Sequence, residues 1–269
     1  MTALSCAVHD SATMLRRNLR HVQRYPSMTL SLIALPVIFL LLFVYVFGGT
    51  LGAGLGAGLE PGSGHGAYVN FVAPGIIMLT VAGAAIATAV SVATDMTEGI
   101  IARFRTMAIS RASVLTGHVL ASVIEMVLAA AVVTAVAVAT GFRPNATLLG
   151  WLAAAGLIGL FALAISWLSV ALGLVARSPE SASNTPMPLM VLPFLGSGFV
   201  PVASMPLALR WFADYQPFSP VITTLRGLLV GGPIGHNATL AIAWGVAIAV
   251  AGYLWARRLY NRDPAGSVR

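Results

Sequence analysis

The stretch DMTEGIIARFRTMAISRASV, residues 95–114, breaks an otherwise apolar sequence. NFVAPGIIMLTVAGAAIATAVSVAT (70–94) precedes it and VLTGHVLASVIEMVLAAAVVTAVAVATG (114–141) follows. Each flank is long enough to cross a bilayer, which takes about 20 apolar residues. A chain that places Asp95, Glu98, Arg103, Arg105 and Arg111 between two such runs leaves the membrane there and then re-enters it. Ile100, Ile101, Phe104, Met107 and Ala108 recur at helical spacing within the stretch. The acids Asp95 and Glu98 fall at its start, where a helix dipole favours them. The spacing therefore predicts a short amphipathic helix with its first turn at Asp95.

Working outward, the whole chain fits an all-α integral membrane protein. Of 269 residues, 58% are hydrophobic and 9% charged, and the mean hydropathy is +0.89. A soluble domain carries about 25% charged residues. Six spans are predicted, at about 29–47, 70–93, 114–140, 148–175, 184–200 and 238–256. The fifth contains Pro186, Pro188 and Pro193. Proline removes a backbone donor and clashes with the preceding turn, so this span should be kinked or start late. A bilayer tolerates that only where neighbouring protein satisfies the freed groups. The six-span domain occupies 28–256, between an N-terminal segment (1–27) and a C-terminal tail (257–269).

Arginine placement sets the expected orientation. All 15 basic residues are Arg. With the N-terminus cytoplasmic, 12 of them lie inside and only Arg143, Arg210 and Arg226 outside. Both termini are then cytoplasmic, and the absence of Lys beside a heavy Ala, Gly and Val load suggests a high-GC bacterial coding bias, so a multi-pass protein of a bacterial plasma membrane is expected. The first 27 residues carry four Arg and no apolar core, so no cleavable signal peptide is expected. In 3–24, Leu4, Val8, Ala12, Leu15, Leu19 and Val22 form a stripe. A basic amphipathic helix beside a span reads as lying in the membrane interface. The alternative is a helix packed on protein.

Several chemistries are excluded or unsupported. Without Lys, no Walker A phosphate loop can form. Cys6 is the single cysteine, and the five His are scattered, so neither a disulfide nor a metal site is expected. The nine-glycine loop 48–66 fails GxGxxG at its third glycine and reads as a flexible external linker. LGSGF (195–199) lacks the first Gly of an intramembrane-protease serine motif. Asn145-Ala146-Thr147 and Asn237-Ala238-Thr239 are chance sequons. The region 196–233 carries Trp211, Phe212, Tyr215 and Phe218 among prolines. Such aromatics favour the membrane interface, so short external helices that dip into the outer leaflet or pack on the helix tops are expected. No catalytic residue and no nucleic-acid partner are expected.

Residues 95–120 resemble the first cytoplasmic loop of type-2 ABC exporter permeases. In that family an acidic stretch leads to Gly-x-x-x-Arg, then Pro-x-Ser-Arg-x-x-x-Leu-x-Gly. Here Glu98, Gly99, Arg103, Ser110, Arg111, Leu115 and Gly117 fill the pattern, and Ala108 replaces its Pro. FLGSGFVPVASMPLALRWFADYQPFSPVITTLRGLLVGG (194–232) is similar to the daunorubicin-resistance-type subfamily, through F-V-P, M-P, Y-Q-P-x-x-P and L-R-x-L. The two stretches cover about a quarter of the chain. The resemblance implies a permease that pairs with a second permease copy, identical or related, and with two copies of a separate ABC ATPase. ATP and Mg would bind that partner; this chain would bind no cofactor. The loop between spans 2 and 3 would be a coupling helix, with Glu98, Gly99, Arg103, Phe104, Arg105 and Met107 facing the ATPase. The cargo would be an amphipathic small molecule or lipid. The plainer reading of the charges is a solvated connector that sets topology.

Glu125 lies near the middle of the third span, where ionisable groups are costly and face the bundle interior or a cavity. His118, Ser122 and Glu125 share one stripe of that helix, which could form a polar relay, a proton path or a cargo contact. The alternative is interhelical hydrogen-bonding glue. Phe194, Phe199 and Met190, in or beside the broken span, are gate candidates by the resemblance and core packing otherwise. Two other functions stay open: a proton-coupled secondary transporter through Glu125, and an intramembrane enzyme. The first would normally show internal repeats, and 1–135 shows no similarity to 136–269. The second needs a nucleophile and base that the spans do not supply.

Overall fold

Continuous apolar runs become long helices because a backbone in hydrocarbon must satisfy its own polar groups. The computed structural model describes residues 13–16, 18, 26–49, 64–99 and 111–261. Five helices are long and apolar enough to cross a membrane. The first, α1, spans Pro26–Leu41 and runs on as a π-helical turn, Leu42–Phe47. The others are α2 (Gly64–Thr97), α3 (Arg111–Ala139), α4 (Leu148–Val175) and α9 (Asn237–Asn261). Between α4 and α9 lie α5 (Pro179–Asn184), α6 (Met187–Val191), a 3-10 turn (Val202–Ser204), α7 (Leu207–Tyr215) and α8 (Phe218–Val230). Among the described residues there is no strand.

Helix α2 is the centre of the bundle. It packs on α1, α3, α4, α5, α6 and α8, and nearly every residue from Tyr68 to Ala85 is buried. Small residues bring its neighbours close, as packing between membrane helices requires. A Cβ at Gly173 of α4 would stand 2.6 Å from the Ala89 carbonyl oxygen of α2. The most extensive interface joins α4 to α9. There a Cβ at Gly252 would meet the Leu168 nitrogen at 2.8 Å. Helix α4 starts where the sequence signals it, with the Thr147 side chain accepting from the Gly150 N–H. Thr147, part of the first sequon-like triplet, is thus a helix cap.

The fifth predicted span is not one long helix. Residues 184–200 form α6 and a run of turns. A Ser178–Ser181 capping box with Pro179 in the first turn opens α5 just before them. The segment nevertheless travels along the bundle. Ala182 packs with Ala89 and Ala93 near one end of α2, whereas Gly198 lies on Gly75. From Ala89 to Gly75 along a helix is about 21 Å at 1.5 Å per residue. Prolines at 186, 188 and 193 forbid an unbroken ladder, and the chain runs past α2 in pieces.

Two further expectations change. Asp95 does not open a loop helix: α2 runs through Thr97, so Asp95 lies in the last turn of a long helix. Gly99 follows with φ +70°, a left-handed residue that ends the helix as glycine does most easily. The two short helices before α9 also divide. Helix α8 is buried in the bundle, whereas α7 exposes Leu207 (85%), Trp211 (68%) and Tyr215 (56%) on one stripe. Residues 100–110, most of 3–24, the glycine-rich 50–63 and the tail 262–269 lie outside the described residues.

Candidate functional site

Two clusters hold the residues singled out in the sequence. The first is the root of the 95–111 loop. Glu98 is exposed beyond the end of α2, its N–H bonded to the Thr94 carbonyl at 2.9 Å. Arg103, Phe104, Arg105 and Met107 lie outside the described residues. Beneath Glu98, His118 Nε2 of α3 meets Asp95 Oδ2 of α2 at 3.1 Å, and both residues are buried. One rung deeper, Thr88 Oγ1 donates to Ser122 Oγ at 2.9 Å. On another side of α3, a Cβ at Gly117 would stand 2.5 Å from Met14 Cβ. That glycine, the last of the loop motif, admits the N-terminal segment against α3. At Met14, which is buried, this segment packs on protein.

The stripe of His118, Ser122 and Glu125 is therefore divided. His118 and Ser122 each bond to α2 rather than to each other. Glu125 is half-buried, with no hydrogen bond or ion pair among the described residues. One residue further, Met126 Sδ accepts from Ser166 of α4 at 3.7 Å.

The second cluster surrounds the proline-broken segment 184–200. Phe194 and Phe199 stack with ring centroids 4.5 Å apart and planes 8° apart. Phe39 meets Phe194 at 5.6 Å, and Phe43 meets Phe199 at 4.6 Å. The two gate candidates thus pack against α1, with Met190 partly buried beside the same core. Behind them a polar seam sews the turns to α8. Ser197 N–H donates to Ser219 Oγ at 3.0 Å, and Ser197 Oγ lies 3.1 Å from Thr223 Oγ1. Gln216 Nε2 donates to the Leu192 carbonyl at 3.3 Å. Arg226 donates through Nε and Nη2 to the Phe71 carbonyl, at 3.1 and 3.0 Å, and through Nη2 to the Ser197 carbonyl at 2.6 Å. Its guanidinium also sits 3.9 Å from the centroid of the Phe71 ring. No carboxylate pairs with it among the described residues. The donors that satisfy a proline-broken chain come from its neighbours, as a bilayer demands.

Gln216 and Ser197 escaped the reading of single residues, and Arg226 was read only as an external charge, not as a donor inside the bundle. Gln216 and Arg226 stood inside the Y-Q-P and L-R motifs, and the available signal was a polar side chain in an apolar run. Asp95 was visible as a charge, but its partner 23 positions away was not.

Comparison with known proteins agrees with this architecture. The chain is 30% identical over 230 residues to the daunorubicin resistance ABC transporter permease protein DrrB1 of Streptomyces coeruleorubidus, covering 85% of this chain and 78% of that one. It is 28% identical over 182 residues to the probable doxorubicin resistance ABC transporter permease protein DrrC of Mycobacterium tuberculosis, 65% of each chain. The profile of the family described as ABC-2 type transporter matches residues 10–230. With its five long apolar helices, this multi-pass membrane protein belongs to the ABC-2 type transporter family.

Proposed function

We propose that this chain is the permease subunit of an ATP-driven exporter that moves amphipathic drugs, antibiotics or lipid-like molecules out of the cell. It works as a pair with a second permease copy, and two copies of a separate ATPase carry ATP and Mg. Both termini face the cytoplasm of a bacterium, and the chain between α4 and α7 supplies the sixth crossing. The observation that carries the reading is the family match over 10–230, which includes the charged loop between α2 and α3. Glu98, Arg103 and Arg105 supply polar contacts to the ATPase, Phe104 and Met107 apolar ones, and Gly99 frees the loop from α2. Phe194, Phe199 and Met190 form an apolar gate for a large cargo. ATP binding shifts the populations of two states of the permease pair.

The test is a mild-detergent purification of the tagged chain from its native membrane, with partners identified by mass spectrometry. A stoichiometric P-loop ATPase is expected, and it should be lost when 98–105 is replaced by a Gly/Ser linker. Reversing charges with Glu98→Arg and Arg103→Glu should leave insertion intact and lower efflux about tenfold, within the usual range of coupling between two sites. Unchanged efflux would remove the coupling assignment.

Half-buried Glu125 supports a second reading, a proton-coupled transporter. Glu125→Gln is expected to alter the pH dependence or the cargo range of efflux. A change in thermal stability alone would make Glu125 interhelical glue. Recovery of the chain without any ATPase would move the proton-coupled reading to the front.

A further inference from the structure

Asp95 is placed where the fold alone would not put an acid. It lies in the last turn of α2, whose dipole opposes a negative charge. It is only 8% exposed, so its carboxylate is also desolvated. The bond to His118, itself 5% exposed, contributes to offsetting both costs. His118 Nε2 can donate whether the imidazole is neutral or protonated. The Thr88–Ser122 bond is a second rung between the same two antiparallel helices. Deeper along α3, Met126, Ala130, Val133 and Ala137 continue into the apolar core, and the next polar contact to α2 lies past the end of α3, where the Arg143 N–H donates to Asn70 Oδ1 at 2.9 Å. The polar rungs thus occupy the half of the α2–α3 interface nearest the loop.

We propose that Asp95 and His118 form a latch that makes α2 and α3 one lever beneath the 98–110 loop. A push on the loop then moves both spans together instead of prying them apart. The two are positioning residues: they touch neither cargo nor ATPase and act through the helices they join. The inference rests on the exporter reading for its consequence in transport, but the latch itself can be measured on the isolated chain.

The experiment uses the full exporter complex in proteoliposomes, with Cys6→Ser, Asp95→Cys and His118→Cys combined. Unlinked, this variant should hydrolyse ATP normally and transport about tenfold more slowly. Bridging the two thiols with a short, reducible bis-thiosulfonate reagent should restore transport, and reductant should abolish it again. Both measurements use the same folded molecules, so a loss of stability cannot imitate the result. Normal transport without the bridge, or no recovery with it, overturns the latch. If the double cysteine variant does not assemble, the exchange of Asp95→His with His118→Asp replaces it, and slow transport by an assembled exchange variant counts against the proposal.

On the isolated chain, spin labels replacing Met96 and Leu120 should give a narrow distance distribution that widens with His118→Ala. An unchanged distribution also overturns the latch. If no ATPase partner is found but the distribution widens, the exporter reading fails and the latch stands.

Discussion

Replacing Arg226 with leucine is expected to destabilise the folded protein by about 3–6 kcal/mol, because two buried carbonyls lose a charged donor worth about 1.5–3 kcal/mol each. The Phe71 carbonyl receives two of its hydrogen bonds and the Ser197 carbonyl the third. Phe71 belongs to the central helix α2, Ser197 to the proline-broken segment and Arg226 to α8, so one side chain ties three parts of the bundle. Leucine offers those oxygens no donor and also removes the cation held against the Phe71 ring. Arg226→Lys should recover part of the loss, since an ammonium keeps the charge but lacks the planar fork that spans both oxygens. Thermal unfolding of the detergent-purified protein reads the effect. An Arg226→Leu protein that melts with the wild type would show that other donors serve these carbonyls.

A side chain at Gly75 should be nearly as damaging. A Cβ there would lie 2.5 Å from the Gly198 oxygen, 2.8 Å from its Cα and 2.9 Å from its carbonyl carbon. Every obstacle is backbone, so no rotamer change relieves it. The facing position is tight as well: a Cβ at Gly198 would lie 2.7 Å from the Pro193 oxygen. Gly75→Val is expected to cost about 3 kcal/mol or more, at the upper end of overpacking effects. It should sharply lower the yield of monodisperse protein by size-exclusion chromatography. Gly83→Ala is the matched control on the same helix. Nothing lies within 4 Å of its Cβ position, and its yield should equal that of the wild type. Equal yields for the two variants would mean that the turn at 193–199 yields where its backbone meets α2.

The two effects share an origin. Prolines at 186, 188 and 193 deprive this segment of a continuous hydrogen-bond ladder, and the chain compensates by pressing bare backbone against α2 and receiving donors from Gln216 and from Arg226 of α8. GSG at 196–198 is the hinge of that arrangement. A Cβ at Gly196 would fall on Gln216 and Ser219, a Cβ at Gly198 on Pro193, and Ser197 between them is bonded to α8. The resemblance of LGSGF to a protease motif dissolves into packing, with the serine serving the fold.

The sequence by itself determined that the chain is a membrane protein, where its long helices run, and which family it belongs to. The predicted 148–175 matches α4 (Leu148–Val175), and 114–140 matches α3 (Arg111–Ala139) to within three residues. This was legible because hydrocarbon leaves a backbone one inexpensive conformation, and the length of an apolar run states it directly. The start of α2 was read six residues late because Gly64, His65 and Gly66 are poor helix formers, yet the helix includes them. Only the tertiary structure decided which helix faces meet. Spans apolar all round carry no stripe that marks an inner face, so rotation and neighbours cannot be read from hydropathy. The pairing of Asp95 with His118, the stacking of Phe194 on Phe199 against α1, and the capture of two carbonyls by Arg226 all depend on those rotations. They are settled by shape and by the few polar groups that must find partners once water is gone.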